Sequence, residues 1–155
     1  MKILFVLLAT LVSLSALAHH NYRLRYDYES VITLTGVVTE FDWRNPHVRI
    51  FMDVEDENGN VTNWIMPTGA PGVLNRIGVT PDTLQPGDTL VVSGGPSRNG
   101  SSEMRARSMT LEDGSWFWLS PGGPPDGWPG APADYQPVGR GGQAGGQPNG
   151  ATGDN

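Results

Sequence analysis

The chain has 155 residues, a net charge of −6 and no cysteine. Without cysteine there is neither a disulfide framework nor a thiolate metal site, and the acidity argues against wrapping a phosphate backbone, so no nucleic-acid partner is expected. The length suits one small domain with a modest core.

Residues 1–18 carry a single charge, Lys2, ahead of an apolar or small-residue run from Ile3 that ends in Ala16-Leu17-Ala18. A spanning helix needs ~20 apolar residues, and no basic stop-transfer flank follows. The run therefore predicts a signal peptide cleaved after Ala18, a periplasmic or secreted protein, and no membrane span after cleavage. His19 becomes the first residue, and His20 follows it. The chain has only three histidines, the third being His47.

Residues 19–30 read as an extended N-terminal segment, and residues 31–118 as one β domain. Val31 to Trp43 is rich in β-branched and aromatic residues and is broken by Gly36. Ile32 and Leu34 form the apolar face before that glycine. Val37, Phe41 and Trp43 form it afterwards, on the opposite parity. A bulge or coil at Gly36 would let one strand serve two halves of a barrel. His47 to Glu55 alternates, with Val48, Ile50, Met52 and Val54 on one side and His47, Arg49, Phe51 and Asp53 on the other. Asn58-Gly59 supplies a hairpin turn into a third strand, Val61 to Met66, which carries Trp64. Ala70 to Gly78 predicts a short helix, with Pro71 near its start and Gly78 at its end. Thr89 to Ser93 and Glu103 to Leu111 are the fourth and fifth strands, and Ser115 to Leu119 is a further short segment.

Three strands, a short helix and two strands is the order of an all-β, five-stranded OB-like barrel. An open sandwich is the rival arrangement. From residue 119 to 155 the composition turns to Gly, Pro and small polar residues, which predicts a disordered tail. Trp128 and Tyr135 are partner-contact candidates within it, against the plainer account of a solvated tail.

Several segments in one order resemble a family of short exported bacterial proteins catalogued as a domain of unknown function (DUF6152-like). They are Ala18-His19-His20, Leu34-Thr35-Gly36-Val37-Val38, Trp43-Arg44-Asn45-Pro46-His47, Asp53-Val54 with Gly59, Trp64, Leu74-Asn75-Arg76-Ile77-Gly78 and Leu84-Gln85-Pro86-Gly87-Asp88. The resemblance spans Ala18 to Gly114. It implies bacterial export and a small β domain, and it brings no activity. Asn21 stands where the resemblance has Ser, and the Gly/Pro-rich tail lies outside it.

The histidines point to metal chemistry. An N-terminal His19 offers its α-amine, with a reference pKa of ~7.7–8.0, and its own ring nitrogen to one cation. A third nitrogen from His20 or His47 completes a set that suits Cu(II), and less selectively Ni(II) or Zn(II). Asp27, Glu29 and Asp53 are candidates to complete the shell or orient a ring. This is similar to the copper clasp of oxidative polysaccharide-cleaving enzymes and periplasmic copper carriers, a likeness confined to His19 and a distant histidine. The competing account has two solvated histidines at a chain start and His47 bonded to its own turn.

No serine sits on a strand-to-helix elbow and no carboxylate pair is placed for acid/base work, so no enzyme is expected. Asp53 to Asn60 fails the EF-hand spacing, and Gly94 to Gly100 lacks the residues of a phosphate cradle. Trp43, Arg49, Phe51, Trp64, Arg105 and Arg107 form a second candidate set, a barrel face for an envelope protein or a glycan. Its competing account has the tryptophans in the core and the arginines in solvent. The expected function is thus an exported binding protein. Its leading ligand is a transition metal on His19, His20 and His47, and its alternative is the barrel-face partner.

Overall fold

The computed structural model describes residues 22–135. The expected signal, His19 and His20 lie outside them, as does the tail beyond residue 135. In chain order the elements are α1 (Tyr22–Arg25), β1 (Ile32–Asp42), β2 (Arg49–Glu55), β3 (Val61–Pro67), α2 (Pro71–Arg76), β4 (Thr89–Pro96), β5 (Met104–Leu111) and β6 (Trp116–Trp118). No helix among the described residues is long and apolar enough to cross a membrane.

The six strands form one antiparallel sheet in the order β3-β2-β1-β4-β5-β6. The expected closed five-stranded barrel is not formed. β3 and β5 meet at one parallel bridge, Ile65 to Glu103, where Ile65 N–H donates to the Ser102 carbonyl at 3.1 Å. A continuing ladder would need the edge of β5 beyond Met104. β6 takes that edge instead, pairing Trp116 to Trp118 with Thr110 to Ser108.

β1 does serve two halves of the sheet. Ile32 to Val37 pairs with β4, and Val37 to Asp42 pairs with β2. The register shift falls between Val38 and Glu40, after the glycine. The inward face therefore runs through Ile32, Leu34 and the buried Val38, and resumes at Phe41 and Trp43. Val37 is 45% exposed, which corrects its expected place in the core. The extra residue of the bulge flips the parity, whereas Gly36 answers to a different demand. A Cβ there would stand 2.2 Å from the Asp53 carbonyl oxygen across the β1–β2 pair.

β2 buries Ile50 and Met52 and turns Arg49, Phe51 and Asp53 to its other face, as period-two alternation requires. In the β2–β3 turn the Asp56 carboxylate accepts from the backbone N–H of Asn58 and Asn60. α2 starts at Pro71 and buries Leu74; Gly78, at φ 85°, lets Val79 N–H reach back to the Leu74 carbonyl. The core runs through Val38, Val48, Ile50, Met52, Met66, Leu90, Val92, Met104, Ala106 and Met109. Burying these side chains contributes about 1.5–3 kcal/mol for each large one.

Both ends of the domain depart from expectation. The N-terminal segment opens with the helical turn α1, and Tyr26 then bridges to Ser97 and is fully buried. At the other end, Trp128 is only 6% exposed. It forms a second cluster with Trp116 and Trp118, flanked by Ala131 and Tyr135. Residues 120–135 are therefore packed at this tryptophan, where a disordered tail was expected. Indole surface already exposed on β6 gives a single aromatic side chain enough area to bury.

Candidate functional site

β5 turns Arg105 and Arg107 away from the core, and Glu103 just before the strand faces the same way, while Met104 and Ala106 point into the core. A register shift opposite Ser93 and Gly94 leaves Arg107 without a Cα partner on β4, so that it and Ser108 follow each other on the outer side. The aromatics that meet this row come from the two chain ends. The Arg105 guanidinium carbon lies 4.8 Å from the centroid of Tyr22. That of Arg107 is 4.7 Å from Trp118, 4.9 Å from Trp128 and 5.6 Å from Tyr28. Such placements are worth ~0.5–2 kcal/mol each, more as water is excluded.

The arginines differ in how their charge is met. Arg25 and Arg98 pair with Glu103 and Asp27, and Arg44 and Arg49 share Asp42. Neither Arg105 nor Arg107 lies within ion-pair distance of a carboxylate among the described residues. Arg105 Nη1 donates to the Thr68 carbonyl. Burial pulls the pKa of Arg107 down; Tyr28 opposes this and the neighbouring Arg105 charge adds to it. Even so, a guanidinium stays charged at any physiological pH. Two half-buried cations on one strand, backed by rings and lacking a counter-charge, make a surface that attracts anions.

His47 sits beside this row. Its ring meets Tyr22 edge to face at 5.2 Å between centroids, and its Nδ1 is buried with no hydrogen-bond partner. Burial lowers its pKa, the Arg105 charge lowers it further, and hydrogen bonding with the Thr68 backbone opposes them. The imidazole is therefore neutral at pH 7. Burial likewise raises the Tyr22 phenol, with Arg105 pulling the other way.

The two predicted residue sets divide. Arg105 and His47 come together at Tyr22, and Arg107 follows on the same strand among Tyr28, Trp118 and Trp128. Trp43 and Trp64 pack against the main core, Trp43 edge-on to Phe41 at 5.5 Å. Arg49 lies 5.5 Å from Phe51 and is committed to Asp42, apart from the β5 row. No cluster of three or more His, Asp or Glu side chains able to hold a metal occurs among the described residues. Sequence reasoning missed Tyr22, Tyr28 and Trp118 as partners of the arginines. The alternation in Trp116-Phe117-Trp118, with Phe117 on the core and both tryptophans off it, was the available signal.

Fold and site together define a small β-sheet domain with an arginine–aromatic face. The family model described as "Family of unknown function (DUF6152)" matches residues 7–106, and the chain belongs to that family. No curated protein matches it. Among solved structures, the chain is similar to a mitochondrial single-stranded DNA binding protein of S. cerevisiae, Rim1. The identity is 12% and the TM-score 0.41, over 56% of this chain and 96% of that one.

Proposed function

We propose that the protein is an exported binding module whose ligand is an acidic glycan held on the outer face of β5. The observation that carries this is the pair Arg105 and Arg107, both half-buried and ring-backed, with no carboxylate within ion-pair distance among the described residues. Guanidinium forks match carboxylate and sulfate geometry, and the half-buried rings of Tyr22 and Tyr28 offer apolar surface to a pyranose. The net charge of −6 opposes a long polyanion such as nucleic acid, whose affinity depends on many phosphate contacts. Titration calorimetry with oligogalacturonate, its neutral methyl ester and single-stranded DNA tests the reading. Binding of the acid alone is expected, weakened about tenfold or more by R105A or R107A. Equal binding of the ester, or preference for DNA, sinks it.

A second reading is favoured by one contact. Tyr22 leans on His47, and residue 20 is two Cα–Cα steps of ~3.8 Å from Tyr22. That is short enough for His20, and for His19 with its amine if cleavage follows Ala18, to reach a cation at His47. The buried, partnerless Nδ1 and the neutral ring of His47 suit a Cu(II) ligand. Cu(II) titration of the exported, processed protein and of H47A tests it. Equal affinity in both, or no dependence on a free amine, ends it.

A further inference from the structure

Residues 121–135 are held to the sheet by side chains. Among the described residues, their backbone hydrogen bonds are local turns: Trp128 N–H to the Pro125 carbonyl, Ala131 to Trp128 and Tyr135 to Pro132, each at 3.1 Å. The anchors are two rings. Trp128 Nε1 donates to Ser108 Oγ at 2.7 Å, and its ring meets Trp118 edge to face at 4.9 Å and approaches Arg107. Tyr135 meets Trp116 edge to face at 5.1 Å. Trp116 and Trp118 are themselves stacked at 6.2 Å and form the floor. This is how a peptide ligand sits on a receptor: one deeply buried aromatic anchor, a second at the rim, and exposed residues between them. Gly127 and Gly130, both at positive φ on either side of Trp128, give the segment turns that need no support from the sheet.

The fit leaves one group unmet. Trp118 Nε1 is buried without an acceptor while the segment is in place. A buried orphan donor is rare in a finished core, and here it belongs to the ring that the segment covers.

We propose that the outer face formed by Trp116, Trp118, Arg107 and Ser108 is a docking site for a Gly/Pro-rich peptide segment bearing a tryptophan, and that residues 121–135 are its resident, displaceable occupant. The partner is a protein presenting a segment of the same chemistry, with a proline-flanked tryptophan whose indole N–H reaches Ser108 and a carbonyl that meets Trp118 Nε1. A tethered segment competes at millimolar effective concentration, so the face opens to a partner that binds more tightly than its own tail. This shares Arg107 and its backing ring Trp118 with the glycan reading, and leaves Arg105 outside the docking face.

The test uses the full chain carrying W128A, with a labelled peptide copying Pro121 to Tyr135, read by fluorescence anisotropy. The peptide is expected to bind W128A about 100-fold more tightly than wild type, because the resident anchor no longer competes. A peptide in which alanine replaces the tryptophan is expected not to bind. No binding to a W128A chain with native far-UV circular dichroism overturns the proposal, as does equal binding to both chains. Unfolding of W128A also overturns it, since the segment is then an integral part of the domain. Oligogalacturonate titrated into peptide-free wild type and R105A reads the glycan site separately, because Arg105 backs on Tyr22 and lies outside the docking face, so either reading can fail without the other.

Discussion

Arg49 closes on Asp42 through two nitrogens, Nε at 2.8 Å and Nη2 at 2.5 Å from the same carboxylate oxygen. Arg44 takes the other oxygen. Burial pushes the Asp42 carboxyl up, but the bonds from Arg44 and Arg49 outweigh it and hold the group below the usual carboxylate range. A depressed folded pKa contributes stability that is complete above the unfolded value of ~3.9 and is lost as pH falls through the folded value. D42N is expected to lose about 1–2 kcal/mol at pH 7, the low end because both arginines remain substantially exposed. It should also flatten the fall in stability below pH ~4. Urea unfolding at neutral and acid pH checks both, and an unaltered acid slope would refute the assignment.

Gly94 and Gly36 are set by close approach of backbones. A Cβ on Gly94 would stand 2.1 Å from the Arg105 carbonyl oxygen, and one on Gly36 2.2 Å from that of Asp53. G36A and G94A are each expected to destabilise by about 2–3 kcal/mol, since the overlapping atoms are backbone and cannot rotate away. Gly72, inside α2 with nothing near its would-be Cβ, is the control. G72A is expected to stabilise by about 0.5–1 kcal/mol. Guanidinium midpoints for the three variants settle the order.

Tyr26 is fully buried, and its hydroxyl donates to the Glu103 carboxylate, which Arg25 also engages. Burial first, and then that hydrogen bond, raise its pKa well above the ordinary phenol. The sign is opposite to that of Asp42. Stability is complete below the unfolded value of ~10 and is lost as pH rises from there. Y26F is expected to lose about 1–2 kcal/mol at pH 7 and to show a shallower alkaline decline. Tyrosinate absorbance should show one phenol that ionises only as the wild type unfolds. Its ionisation in the folded protein near pH 10 would contradict the bond.

Ser108 accepts the one side-chain hydrogen bond that Trp128 makes. S108A leaves the indole N–H buried without a partner and is expected to lose about 1–2 kcal/mol, seen as a Tm lower by about 5 °C. The loss should vanish in the W128A background, where the donor is gone. A double-mutant cycle gives the coupling, and additive losses would show that the bond does not form in solution.

The strands were legible from their β-branched and aromatic runs, from the alternation between Arg49 and Met52, and because Asn58-Gly59 and Pro86-Gly87-Asp88 punctuate them. The two-partner role of β1 was legible from its change of parity. The position of that change was not, since Val37 and Val38 are chemically alike and only cross-strand register decides which faces inward. In the site, Arg105 and Arg107 stood out by their spacing. Their aromatic partners did not, because Tyr22, Tyr28 and Trp128 reach β5 from segments without periodicity. Trp128 lies among glycines and prolines, and nothing local distinguishes a docked indole from a solvated one.

The division of β1 between two neighbours orders events in time as the chain folds. β2 arrives soon after Asp42, so a β1–β2–β3 meander closes from adjacent sequence. The first half of β1 must wait for Thr89 to Gly94. Until then Ile32 to Val37 presents an unpaired row of amides and carbonyls, a ready template for another chain. The half-built domain is thus the vulnerable species, and slow delivery of the second hairpin, more than weakness of the finished sheet, sets its risk of self-association.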